Sequence, residues 1–424
     1  MIDGLELLRG PVELPCGAVL PNSLAKAAMT EGLSFDGRPN VQHQRVYRAW
    51  AHCGVGMQLT GNVQVDRRHL ERSGNVVLDS ELDAETRVPY ADWAKTAKAD
   101  GAHVWMQISH AGRQTPANIN PMPFGPSAIA AETLGRTGIP VEMPEAEIDR
   151  AIEGFVRAAR GAKDAGFDGL QLHAAHGYLM SSFLSPKANR RTDRWGGSLQ
   201  NRARLLLSAN EAVRGVVGPD FPISVKLNSA DFQQGGFEFE DAIALAGWLA
   251  DAGIDLLEIS GGNYEQPSMV GVPGVTPKAS TRLREAYFLD FAKVMMEGRT
   301  PPLMVTGGFR SAAVMVEAVR AGVAVVGIAR PLCAELDGPA ALLRGERAEL
   351  ARYEEMLFTQ PPPENIEPSK PGELPIPFSA IAWFYQQLRR LGRGDPVDLN
   401  LTVAQAFVDE RRDDQAAAER MGTA

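Results

Sequence analysis

From about residue 25 to residue 345, short apolar runs alternate with longer amphipathic stretches, the rhythm of repeated βα units rather than of a sandwich or a bundle. The runs Ala25 to Met29, Gly56 to Thr60, His103 to Gln107, Gly169 to His173, Ile223 to Leu227, Leu256 to Ile259, Leu303 to Thr306 and Val323 to Gly327 predict eight strands. Between them, Ile148, Ile152, Phe155 and Ala159 recur every three or four residues and predict a helix over Ala146 to Asp164 with one buried stripe. Leu199, Ala203, Leu206, Ala209 and Val213 do the same over Ser198 to Val217. Eight strands, each followed by a helical segment, favour an α/β fold of the (β/α)8 TIM-barrel type across residues 1–345. A doubly wound open sheet has the same rhythm, because counting strands does not prove closure.

Two stretches leave this rhythm. Gln114 to Pro144 holds six prolines and predicts an extended excursion over one face of the barrel. Residues 346–424 form a C-terminal extension in which the proline-rich run Pro361 to Pro377 predicts a stiff connector. The segment Ile381 to Leu391 then reads as a helix carrying Trp383, Phe384, Tyr385 and Leu388. Such an aromatic surface must be buried, either on its own barrel or on a second subunit, which would make the protein a homo-oligomer. The last dozen residues alternate charge and alanine and are expected to fray.

Composition narrows the function. The 424-residue chain has 43 Lys plus Arg against 52 Asp plus Glu, a net charge of -9, which makes it a poor partner for nucleic-acid phosphates. Three widely spaced cysteines, Cys16, Cys53 and Cys333, argue against a disulfide framework, and no C-x-x-C pair exists to hold zinc. Charges interrupt the first fifteen residues, and no stretch is apolar for the length of a membrane span, so a cytoplasmic protein without membrane partners is expected.

Barrel enzymes carry their reactive groups at the C-terminal ends of the strands. The fourth predicted strand ends in His173-Ala-Ala-His176-Gly-Tyr178. Two imidazoles on such a turn can offer N–H groups to one oxygen, and a tyrosine hydroxyl two residues on can supply a proton. Core packing or a zinc pair would use the same histidines, although no third zinc ligand can be located from spacing. Gln107 at the third strand end presents a donor and an acceptor suited to the edge of a planar heterocycle. Lys226 sits in the apolar fifth strand, where it must meet an anion or polarised oxygen, or pair with a barrel carboxylate such as Glu258. Thr306-Gly307-Gly308 and Ala329-Arg330 end the seventh and eighth strands, the usual place of a barrel phosphate site, with Arg330 as a bidentate clamp.

The run from Phe167 through His173, His176 and Tyr178, continued by Phe183-Leu-Ser-Pro and by Asn189 to Arg202, resembles the old yellow enzyme family of FMN-dependent ene-reductases. Ala27-Ala28-Met29-Thr30, Ser109 to Arg113 and Gly327 to Pro331 extend the resemblance over roughly residues 5 to 345. The resemblance implies FMN as cofactor, NADH or NADPH as reductant, and an activated alkene or nitro compound as the small-molecule substrate. Ala27 to Thr30 would border the flavin, with the Thr30 hydroxyl near its C4 oxygen, and Gln107 would bind the pyrimidine edge. Lys226 would stand where most members carry Arg. Gly307, Gly308, Ala329 and Arg330 would hold the phosphate. His173 and His176 would grip the activating oxygen, hydride would pass from flavin N5, and Tyr178 would add the proton. Asn189 to Arg202 would be a scaffold. His176 replaces the Asn of many members, and Gly61-Asn62 differs from the usual pair, so a contact from Asn62 is a looser expectation. A 4Fe–4S branch needs four cysteines beyond the barrel, where only Cys333 lies.

Overall fold

The computed structural model describes residues 3–131, 137–261, 289–360 and 376–421, with side chains of the last stretch from residue 380. Eight parallel strands, β1 (Leu24–Lys26), β2 (Met57–Leu59), β3 (His103–Ser109), β4 (Gly169–Ala174), β5 (Ile223–Asn228), β6 (Leu256–Ser260), β7 (Leu303–Thr306) and β8 (Val325–Ile328), pair in sequence order. β8 also pairs with β1, Gly327 opposite Ala25, so the sheet closes on itself and the open-sheet alternative falls. All eight predicted runs are strands, with ends moved by up to three residues.

The barrel interior is packed rather than hollow. Ala25, Met57, Leu59, Trp105, Leu256, Met304 and Val325 alternate inward and fill it as one buried cluster. Gly169 is required beside the largest of them, since a Cβ there would stand 2.8 Å from the Trp105 ring. An antiparallel pair, Val12–Glu13 with Val19–Leu20, brings Leu14 and Leu20 into the same cluster at the N-terminal ends of the strands. Only the opposite end stays open to chemistry.

Outside lie α1 (Val41–Ala51), α2 (Val88–Ala97), α3 (Glu145–Asp164), α4 (Leu199–Val217), α5 (Phe239–Asp251) and α6 (Ala312–Arg320). The α3 stripe predicted from spacing is the buried one, with Ile148, Phe155 and Ala159 fully covered. Ser198 caps α4 by accepting from the Asn201 amide at 3.3 Å. The excursion after β3 forms a short parallel pair, Phe124–Gly125 with Val141–Glu142.

The described residues of the extension form a short helix, Tyr353–Phe358, and two longer ones, α7 (Ile376–Arg393) and α8 (Val403–Met421); α7 packs on α8 and on α1. Trp383 is fully buried and donates from its indole to the Leu401 carbonyl at 2.9 Å. Of the two places open to the aromatic helix, it takes its own barrel. Trp383, Phe384 and Leu388 are buried within the one chain. The expected fraying is also wrong over most of its length: α8 runs to Met421, with Ala417 and Ala418 buried. The proline-rich connector lies, but for its last residues, outside the described residues.

Candidate active site

At the C-terminal ends of the strands a cavity opens to one side. His173, His176 and Tyr178 all line it. His173 is the penultimate residue of β4, and its Nδ1 accepts from the Ala175 amide at 3.3 Å, which leaves the proton of a neutral ring on Nε2. His176 sits on the turn with φ 64, followed by Gly177 with φ 81. Such a backbone is uncommon for a residue with a side chain, and it is over-determined here. The His176 amide donates to Asn228 Oδ1 at 3.2 Å, and its carbonyl accepts from Gln114 at 2.6 Å. The two imidazoles are not equivalent. They stand edge to face with centroids 5.2 Å apart, and His176 Nε2 lies 2.9 Å from the Ser260 hydroxyl. Burial first, then the Lys226 charge, pushes both well below the ordinary histidine range, so both rings are neutral donors or acceptors near pH 7. Tyr178 packs edge-on against His173 with centroids 4.8 Å apart.

A polar chain crosses the barrel beneath them. Lys226 pairs with Glu258 at 2.9 Å, the neighbour opposite it in the β5–β6 register. Glu258 accepts from Gln171 Nε2 at 2.9 Å, and Gln171 Oε1 accepts from Gln107 Nε2 at 2.7 Å. A carboxylate can only accept, so it fixes the orientation of Gln171 and through it that of Gln107. Gln107 thereby keeps its carbonyl oxygen for the cavity, which it lines together with Lys226. Lys226 is ion-paired to Glu258, and it also lines the cavity.

After β1, Ala27 is buried and bonded to β8 through its amide, while Ala28, Met29 and Thr30 line the cavity. Asn62 lines it too, and its Oδ1 accepts from the Thr30 hydroxyl at 3.0 Å. Thr30 therefore spends its proton on Asn62 and ties the loop after β1 to the one after β2. Behind this segment, Glu31 is held by the fully buried Lys26, by the Tyr47 hydroxyl and by the Gly61 amide. A Cβ at Gly61 would lie 2.1 Å from the Glu31 carboxylate, so only glycine fits. Burial lowers Lys26 to about 8 against the opposing pull of Glu31.

Gly307 and Gly308 follow β7 with φ 144 and 76, and Ala329 and Arg330 follow β8. Arg330 reaches the cavity; Ala27, Gly307, Gly308 and Ala329 are not on its wall. Arg310, absent from the expected set, meets Arg330 on a single anion: Glu354 Oε1 lies 2.6 Å from one guanidinium and 2.9 Å from the other. Burial opposes the charge on Glu354, yet Arg310 and Arg330 outweigh it and hold its carboxyl below the usual range. The Thr306 hydroxyl at the same turn is buried with no partner among the described residues. Two guanidiniums, an unpaired hydroxyl and two glycines in left-handed backbone are the donor set of a phosphate site, so these residues fit a phosphorylated cofactor.

The Asn189 to Arg202 segment is scaffolding, as expected. Asn189 donates to the Phe183 and Trp195 carbonyls, and Arg191 to those of Pro126 and Met143. Asp66, His69 and His110 gather at one point. Their lone pairs are committed, however: His69 Nε2 accepts from the Phe124 amide, His110 Nδ1 from that of Gly112, and Asp66 is clasped by Arg68. The group therefore braces the excursion. Also unforeseen are Ile381, Phe384, Tyr385 and Leu388 of α7, which form part of the cavity wall. The aromatic spacing of α7 was visible in the chain; its destination was not.

A profile of the NADH:flavin oxidoreductase / NADH oxidase family matches residues 11–345. The NADH-dependent flavin oxidoreductase iliE of Hypocrea jecorina is 39% identical over 347 residues, covering 76% of this chain and 85% of its own. The corresponding nadA of Aspergillus parasiticus is 37% identical, covering 74% and 73%. Among solved structures, 2-naphthoyl-CoA reductase in complex with 2-naphthoyl-CoA superposes with a TM-score of 0.73 at 27% identity, over 80% of this chain and 52% of that one. Morphinone reductase with tetrahydroNAD shares the fold with a TM-score of 0.66 at 24% identity, over 80% and 91%. No helix among the described residues is long and apolar enough to cross a membrane. On this match and this site, the chain belongs to the NADH:flavin oxidoreductase / NADH oxidase family, that of old yellow enzyme, and is an oxidoreductase using FMN with NAD(P)H as reductant.

Proposed function

We propose that the protein reduces activated C=C bonds, or nitro groups, with His173, His176 and Tyr178 as the groups that act on the acceptor. The observation that carries this is the meeting of a neutral imidazole pair and a tyrosine on one cavity that also presents Lys226 and Gln107. FMN, when bound, supplies hydride transfer between the nicotinamide and the acceptor. Everything else is done by the chain.

Arg330, with Gly307, Gly308, Ala329 and the neighbouring Arg310, holds the phosphate. Gln107 offers its carbonyl oxygen to a ring N–H, Lys226 faces the part of the ring where negative charge collects, and the segment from Ala27 to Thr30 with Asn62 borders it. His173 donates from Nε2 to the carbonyl or nitro oxygen of the acceptor, and His176 does so from the ring nitrogen it turns to that oxygen. Donors fixed before charge develops lower the barrier without reorganisation. Tyr178 gives a proton to the carbon next to the activating group. A neutral phenol with a reference pKa near 10 keeps that proton until the developing enolate takes it.

Anaerobic NADH or NADPH oxidation with 2-cyclohexen-1-one and with a nitroalkene tests this. We expect saturable oxidation and a saturated product from at least one of them. Oxidation that proceeds only with oxygen as acceptor overturns the reading.

A further inference from the structure

The polar groups of the cavity and its apolar ones lie on different elements. His173, His176 and Tyr178 come from the end of β4, Lys226 and Gln107 from the barrel below them, whereas Ile381, Phe384, Tyr385 and Leu388 come from α7. Their spacing of three, one and three residues is one face of a helix. α7 packs on α1 and on the turn Arg330–Cys333, which follow β1 and β8, on the far side of the closed barrel from β4. The family profile ends at residue 345, so this wall is built by sequence outside the matched region.

Tyr385 is the member of that face held from outside. The Arg72 guanidinium, on the loop after β2, stacks on its ring 4.1 Å from the centroid. Arg72 also pairs with Glu410 at 3.0 Å, and Glu410 in turn pairs with Arg389 of α7 at 3.1 Å. Arg389 donates to the Gly32 carbonyl at 3.0 Å, which fastens α7 to the loop after β1. The Tyr385 ring is thus clamped in one plane between a fixed cation and the cavity.

We propose that Tyr385 is a specificity-determining residue: with Ile381 and Phe384 it forms a flat apolar wall that favours acceptors whose activated bond is conjugated to an aromatic ring. This deepens the alkene-reductase reading and rests on it. An acceptor gripped by its oxygen at the histidine pair extends an apolar body across the cavity. A planar aryl group there gains contact with the Tyr385 ring beyond the burial of its area. A small cycloalkenone has no aromatic ring to make that contact. Arg72 acts through Tyr385 and is a positioning residue.

The test compares (E)-4-phenylbut-3-en-2-one with 2-cyclohexen-1-one in wild type, Tyr385→Ala, Tyr385→Leu and Arg72→Met. The expected result is a fall of at least tenfold in the kcat/KM ratio, aryl over cyclic, for Tyr385→Ala, with a severalfold fall for Arg72→Met. Tyr385→Leu keeps the wall filled without a ring and falls between. FMN content per chain should stay near one in all four proteins. A ratio within twofold of wild type, or loss of FMN from the Tyr385 variants, overturns the proposal, the latter because it places the ring against the cofactor. Binding of 4-phenylphenol against phenol, read from the long-wavelength band such ligands give on oxidised flavin, reports the wall without turnover. If wild type reduces neither enone, the reductase reading fails. The phenol pair then decides the wall alone: a preference for 4-phenylphenol that Tyr385→Ala abolishes supports it, and none overturns it.

Discussion

At the scale of single residues, the Lys226–Glu258 pair is the most demanding feature, because both charges are buried. Removing one partner leaves the other uncompensated, so Lys226→Met should destabilise by about 3–5 kcal/mol, and adding Glu258→Gln should restore much of it. Thermal melting of the single and double variants checks this; a double variant no more stable than the single contradicts it. For Tyr178→Phe we expect alkene reduction to fall roughly 100-fold or more, the usual worth of a general acid, with a far smaller loss in flavin reduction by NAD(P)H. Stopped-flow measurement of the two half-reactions separates them, and equal losses would remove the proton-donor role. Glu354 stands where Arg310 and Arg330 converge. Glu354→Gln takes away a like charge beside an incoming phosphate, so FMN should bind about three- to tenfold tighter, or about 0.7–1.4 kcal/mol. Fluorescence titration of the apoprotein reads the constant directly. Weaker binding would mean that Glu354 orients Arg330 instead of competing with the phosphate.

At the scale of elements, α7 stays in place through Trp383, which is fully buried and packs at a tilt against the Tyr353 ring, with centroids 5.6 Å apart. Trp383→Ala should cost about 3–5 kcal/mol in the docking of the extension. Limited proteolysis is the direct measurement, with cleavage near α7 accelerated while the barrel fragment persists. Strand periodicity and strand-end chemistry could be read in the chain because each depends on neighbours along it. The His173, His176 and Tyr178 turn is such a case: a strand end, a glycine and three side chains within six residues. Arg310 meeting Arg330 through Glu354, and α7 meeting the cavity, could not be read. Those contacts join parts of the chain whose spatial approach depends on barrel closure, which no local pattern encodes. The fraying expected at the C-terminus failed because α8 packs on α7 and Ala417 and Ala418, which look solvent-tolerant in the chain, are buried.

At the scale of the whole molecule, pH acts through buried imidazoles. Burial lowers His43 to about 3, and burial with the nearby His69 lowers His110 to about 4. His173 and His176 are displaced in the same direction. The unfolded chain takes up these protons near pH 6.5 while the folded one does not. Stability is therefore full above that value and is lost as pH falls from about 6.5 toward 4. For His43 and His110 the loss at pH 5 is on the order of 2 kcal/mol each. Melting temperatures at pH 7, 6 and 5 should fall in that order; a rise toward pH 5 would contradict the burial of neutral rings.

The tether between Arg389 and Gly32 spans 357 positions of sequence. During synthesis on the ribosome, the eight strands can assemble once β8 has emerged, but the cavity then still lacks one side. The chamber is complete only after α7, which carries part of its wall, and the Glu410 region of α8, which braces α7, have left the exit tunnel.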